Sequence, residues 1–154
     1  MAINTRLISL FEKTCRANGL KITHQRLQIY RTLIQSTNHP SAETLYRQLV
    51  RQMPTLSLDT VYRTLSTFEE LGLVRRVETT GNQSRFEART EQHHHFFCDD
   101  CGQLLDFTWP TFDAMPLPEE LAQIGTIREK NLVLHGLCSR CLAKQKQKKQ
   151  NSTS

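Results

Sequence analysis

Residues 57–72 read SLDTVYRTLSTFEELG. Leu58, Val61, Leu65, Phe68 and Leu71 recur every three to four positions, the period of a helix with one apolar face. Ser57 is a good N-cap and Gly72 a natural stop. The opposite face is expected to carry Thr60, Arg63, Thr64 and Thr67, with Tyr62 at the border. Those tips hydrogen-bond and carry no negative charge, which suits a helix laid in a DNA major groove, where phosphates repel acids. Upstream, His39-Pro40-Ser41 opens a further helix with Ala42, Leu45, Tyr46 and Leu49 on its inner face. The turn Gln52–Leu56 joins the two as a helix-turn-helix candidate. Downstream, Leu73–Glu78 and Ser84–Glu87 flank the turn-rich Thr79–Gln83, which predicts a hairpin carrying arginines. Helix-turn-helix and basic hairpin together predict a winged helix.

Two more helices precede this pair. One covers about Leu7 to Asn18, with Leu7, Leu10, Phe11 and Cys15 on its stripe, so Cys15 reads as a buried small hydrophobe. The next follows the cap Thr23 and sets Leu27, Tyr30, Leu33 and Ile34 on one face. Charge agrees with a polyanion partner. Residues 1–85 hold twelve Lys and Arg against six acids, and the rest hold eight against nine, four of the eight at Lys144–Lys149. No run approaches the roughly 20 apolar residues of a membrane helix, and the amphipathic N-terminus has no signal core. The expected compartment is the cytoplasm, where five cysteines read as ligands or thiols before disulfides.

From His93 the sequence changes character: HHHFFC, QLLDF and TIREKNLVLHGLC alternate strand-like runs with ligand residues. A short helix, Glu119 to Ile124, separates the last two, and the tail from Lys144 is basic and expected to fray. Cys98-x-x-Cys101 and Cys138-x-x-Cys141 can each point two sulfurs at one ion, and four soft thiolates with no open position select structural zinc. A redox role fails, because neither pair opens a helix in a βαβ context. Placed on a strand, His93 and His95 share a face while His94 takes the other. With Glu87 and Asp106 nearby in sequence, they make a second candidate site of imidazole and carboxylate, suited to iron, manganese or zinc.

LKITHQR (20–26), NHPSAETLY (38–46), LDTVYRTLSTFEELGLV (58–74), SRFE (84–87), HHHFFCDDCGQLLDF (93–107) and GLCSRC (136–141) stand in this order and spacing. They resemble the ferric uptake regulator (Fur) family from about Gly19 to Cys141. The resemblance implies a homodimeric, metal-dependent repressor of α+β class that binds double-stranded operator DNA and is not an enzyme. It implies a winged-helix DNA-binding domain (1–88), a hinge (89–92), a small α/β dimerisation domain with a four-cysteine zinc site (93–143) and a basic flexible tail (144–154). The structural zinc ligands would be Cys98, Cys101, Cys138 and Cys141. His39, Glu87, His93, His95 and Asp106 would hold regulatory Fe(II) or Mn(II). Lys21 would reach the minor groove, while Tyr62 and Arg63 approach bases.

Branches of the family differ in their signal. Zinc sensors carry a cysteine in the sensing site, and none is left for it here. Peroxide sensors resemble iron sensors in their ligand set, but typically have aspartate at Glu87 and asparagine at Arg63. Both departures lean toward iron, with peroxide sensing as the alternative and a non-haem iron enzyme as a remoter one. A further site known from iron sensors is degraded: His94 and Asp113 remain, but Gln92 and Lys130 stand where ligands are expected. His135 reads as structural.

Overall fold

A computed structural model of the chain describes residues 2–77, 79, 83–88 and 91–151, which fall into two compact units, Met1–Thr90 and Glu91–Ser154. Arg89 and Thr90 of the expected hinge, and Glu78 and Thr80–Asn82 around the expected hairpin turn, lie outside the described residues.

The first unit runs α1 (Ala2–Ala17), α2 (His24–Gln35), α3 (Ala42–Leu49), α4 (Leu58–Glu70), β1 (Val74–Val77) and β2 (Arg85–Ala88). Three hydroxyls start three helices. Thr23, Ser41 and Ser57 accept the backbone N–H of Arg26, Thr44 and Thr60 at 3.3, 3.2 and 3.1 Å. Glycines end α1 and α4 in the same way. Gly19 and Gly72 have φ of +64° and +70°, and the next residue's N–H returns to the carbonyl of Cys15 or Phe68 at 2.9 or 2.8 Å. That is the Schellman closure, which favours a residue without Cβ.

Phe11, Tyr30 and Phe68 meet at the centre of this unit, one from each of α1, α2 and α4. Phe11 stacks on Tyr30 at 4.6 Å, and Phe68 stands edge-on to both at 5.4 and 5.8 Å. Cys15 is fully buried beside them, as expected of a thiol on an apolar stripe. The turn between α3 and α4 is fastened inward by Met53 and Leu56, both buried. The hairpin pairs Val74↔Ala88, Arg75↔Glu87, Arg76↔Phe86 and Val77↔Arg85. The Phe86 N–H donates to the Pro40 carbonyl at 3.0 Å, tying β2 to the loop before α3.

The second unit runs β3 (His94–Cys98), β4 (Leu104–Phe107), α5 (Pro110–Ala114), α6 (Leu121–Ile124), β5 (Val133–Gly136) and α7 (Ser139–Asn151). Its sheet has the order β4-β3-β5, with β3 antiparallel to β4 and parallel to β5. The parallel pairing demands a long crossover, which α5 and α6 occupy. Phe96 pairs with both Leu105 and Leu134, which makes one apolar row across the sheet; Leu105 and Leu134 are each 40% exposed.

Three expectations change here. Helix α5 was not anticipated: Pro110 at its first turn fixes a helical start that five residues are too few to show as a period. Only Val133–Gly136 of the long run 126–138 is strand. The segment expected to fray is helical to Asn151, consistent with its run of Lys and Gln, both good helix formers.

Candidate metal centres

The four cysteines converge within the second unit. Each offers a sulfur within 4.8 Å of the other three, and Cys101 Sγ is 3.9 Å from Cys138 Sγ. Sulfurs about 2.3 Å from one tetrahedral zinc stand about 3.8 Å apart, so the donor set and spacing fit that ion. The first knuckle is a tight turn after β3. The Gly102 N–H donates to the Cys98 carbonyl at 2.9 Å, with Gly102 at φ +69°. Backbone N–H groups of Cys101 and Cys138 point at the Cys98 sulfur and lower its thiol to about 6, so it is largely thiolate at neutral pH. The Cys141 N–H lowers the Cys138 thiol in the same way, whereas a hydrogen bond to Asp100 raises Cys141. His135 Nδ1 lies 3.3 Å from Asp99 Oδ1, beside the first knuckle.

The first unit positions two of the expected regulatory ligands against each other. His39 lies in the loop between α2 and α3, and its Nε2 is 2.9 Å from Glu87 Oε2, both nearly buried. His39 has φ +45°, the one non-glycine with positive φ among the described residues. Such a conformation costs about 1–3 kcal/mol and persists where surrounding structure enforces it, commonly at functional sites. The other oxygen, Oε1, faces Arg75 Nη1 at 3.7 Å. Sequence reading missed Arg75; its signal is the cross-strand position opposite Glu87, which only the hairpin register supplies.

The second unit brings together the other three. His93, His95 and Asp106 each offer a donor atom, all within 4.8 Å of one another. His95 Nε2 stands 3.6 Å from Asp106 Oδ1. That is wider than a hydrogen bond and near the roughly 3.0–3.4 Å between neighbouring donors around one ion with bonds of about 2.1 Å. His93 Nδ1 donates to the Glu91 carbonyl at 2.8 Å, the arrangement usual for a ring that ligates through Nε2. His94 points to the other face, as expected. It is fully buried between Phe107 and Phe112, with Nε2 3.0 Å from Asp113 Oδ1. Beside it Lys130 Nζ donates to the carbonyls of Phe112, Asp113 and Met115, capping α5 with a fixed cation.

The expected DNA contacts divide. Thr60, Tyr62 and Arg63 lie on the outer side of α4, and Lys21 is exposed before α2. Thr64 is corrected: it is only 6% exposed, on the inner face with Val61, Leu65 and Phe68. At 3.6 residues per turn, a position three after Val61 and four before Phe68 must share their face. Arg63 pairs with Asp59 at 2.9 Å, one turn back. The Tyr62 hydroxyl donates to Glu43, which holds that carboxyl below its usual range.

A two-unit protein with a thiolate cage and separate imidazole–carboxylate donors belongs with the metalloproteins. Residues 17–130 match the ferric uptake regulator family, and the chain is a member of it. It is 36% identical over 129 residues to the peroxide-responsive repressor PerR of Staphylococcus saprophyticus, covering 82% of this chain and 85% of the relative. Its fold is similar to that of the Vibrio cholerae ferric uptake regulator, with TM-score 0.63 and 31% identity over 82% of this chain and 98% of that one. It is also similar to a zinc uptake regulator solved with zinc and DNA, with TM-score 0.66 and 25% identity over 93% and 97% of the two chains.

Proposed function

We propose that this chain is a metal-responsive transcriptional repressor that works in the cytoplasm as a homodimer on double-stranded operator DNA. The first unit acts as a winged helix: α3 and α4 form the helix-turn-helix, β1 and β2 the wing. Thr60, Tyr62 and Arg63 read the major groove and Lys21 enters the minor groove. The second unit dimerises through the apolar row of Leu105, Phe96 and Leu134, whose two outer members are exposed, and it is held in shape by zinc on Cys98, Cys101, Cys138 and Cys141.

The observation that carries the regulatory reading is the division of donors. His39 and Glu87 belong to the first unit, His93, His95 and Asp106 to the second, and neither set alone completes a coordination sphere. Fe(II) or Mn(II) supplies the charge that all five donors can share. A state in which both sets grip one ion then binds metal better than any other state, so metal shifts the population toward it. A switch from mostly open to mostly closed needs a preference of about 10⁴, near 5.5 kcal/mol. Losing two of five ligands in the open state is a sufficient source of that bias.

A second reading is favoured by the 34–36% identity to curated peroxide-responsive repressors. In it, His39 or His93 would be the residue oxidised when iron is bound, gaining one oxygen of hydrogen peroxide while the other leaves as water, with release of DNA. Glu87 and Arg63 favour plain iron response. The deciding experiment is DNA retention by zinc-loaded protein titrated with Fe(II) or Mn(II) without oxygen, before and after micromolar peroxide. Retention that depends on added metal supports the repressor, and retention indifferent to chelation overturns it. Loss of DNA after peroxide in the iron form alone selects the second reading.

A further inference from the structure

We propose that Arg75 is a built-in counter-cation for Glu87 that weakens divalent-metal binding at the regulatory centre and so sets the metal level at which the protein responds. The inference rests on the reading of His39 and Glu87 as ligands. The two oxygens of Glu87 are already divided, Oε2 toward His39 Nε2 at 2.9 Å and Oε1 toward Arg75 Nη1 at 3.7 Å. The strand register fixes this pairing, because Arg75 on β1 stands directly across from Glu87 on β2. Both side chains are nearly buried, 12% and 10% exposed. The neighbouring Arg76 is different: it pairs with Glu69 at 3.1 Å, lies over the Phe86 ring and is 36% exposed.

A guanidinium does not lose its proton in a protein, so Arg75 keeps its charge whatever else approaches Glu87. Burying it is costly without a carboxylate partner, which ties its charge to this site. An ion bound to Oε2 would sit within roughly 8 Å of that charge, given bonds near 2.1 Å, in surroundings that screen poorly. Repulsion between a fixed monocation and an arriving dication opposes binding. Arg75 also steadies the carboxylate, which favours binding, but His39 already holds its Oε2 at 2.9 Å without it. Repulsion is therefore the larger effect, and removing the charge tightens the site.

The test is equilibrium Mn(II) binding by the zinc-loaded protein against a competing fluorescent chelator. Arg75→Met and Arg75→Gln should bind Mn(II) about tenfold more tightly or better, from the charge removed. Arg75→Lys keeps the charge and should stay within about threefold of the parent. Damage to the hairpin would weaken binding, so a gain reports the charge itself. Should Arg75→Met fail to fold by circular dichroism and zinc content, Arg75→Gln decides. A folded neutral variant with unchanged or weaker Mn(II) binding, alongside a Glu87→Ala variant that loses it, overturns the role of Arg75 alone. Mn(II) binding equal in the parent and Glu87→Ala overturns the ligand reading and this inference with it.

Discussion

His39 Nε2 and Glu87 Oε2 meet at 2.9 Å across 48 residues of chain, one on a loop with positive φ and the other on a strand. A ring nitrogen and a carboxylate at that distance are joined by one hydrogen bond, which an ion ligated through both atoms must break. His39→Ala and Glu87→Ala should each weaken Mn(II) binding by about tenfold or more while leaving zinc content unchanged. Equilibrium Mn(II) titration against a competing fluorescent chelator checks this; parental affinity in both variants would contradict the ligand pair.

Removing one imidazole should separate regulation from folding. His95→Ala deletes a donor from the second unit without touching the thiolate cage. It should give a dimer with normal zinc content whose DNA retention no longer responds to added metal. Collapse of the fold in this variant would show that His95 is structural.

The cage predicts the opposite outcome. Cys101→Ser leaves three sulfurs for a site built for four, so zinc content should fall and the second unit should lose its cooperative melt. The first unit has its own core around Phe11, Tyr30 and Phe68 and should keep its helical signal.

Acid should act on that cage in a defined direction. N–H groups lower the Cys98 thiol to about 6 and lower Cys138 as well. Groups with depressed values favour the assembled state above their ordinary range, and that contribution fades as pH falls through the lowered one. Zinc retention should thus hold through neutral pH and weaken progressively as the solution is acidified, measured by release to a chromogenic chelator.

On α4, Asp59 holds Arg63 at 2.9 Å and both are well exposed. Asp59→Asn frees the guanidinium and removes a negative charge that would face phosphates if α4 enters the groove as proposed. DNA affinity should rise modestly with a steeper salt dependence, read by fluorescence anisotropy at several ionic strengths.

Some of this molecule is written in stretches a few residues long. The hydroxyls of Thr23, Ser41 and Ser57, the stop at Gly72 and the two Cys-x-x-Cys pairs each act over four or five positions, where chain geometry leaves little choice. Helices α1 to α4 and the two knuckles follow from them. Thr64 was equally local: its spacing from Val61 and Phe68 places it inside, although its polar tip invites an outward reading. Other features needed the folded chain. The left-handed turn at His39 and its contact with Glu87 depend on β2 hydrogen-bonding to the Pro40 carbonyl. Arg75 faces Glu87 because of hairpin register, and Lys130 caps α5 from a segment 15 to 18 residues away. Sequence by itself determined helices α1 to α4 and the four cysteine donors, because those rest on local rules. Tertiary structure decided which charge stands beside which donor, because cross-strand register and packing join residues that no local period connects.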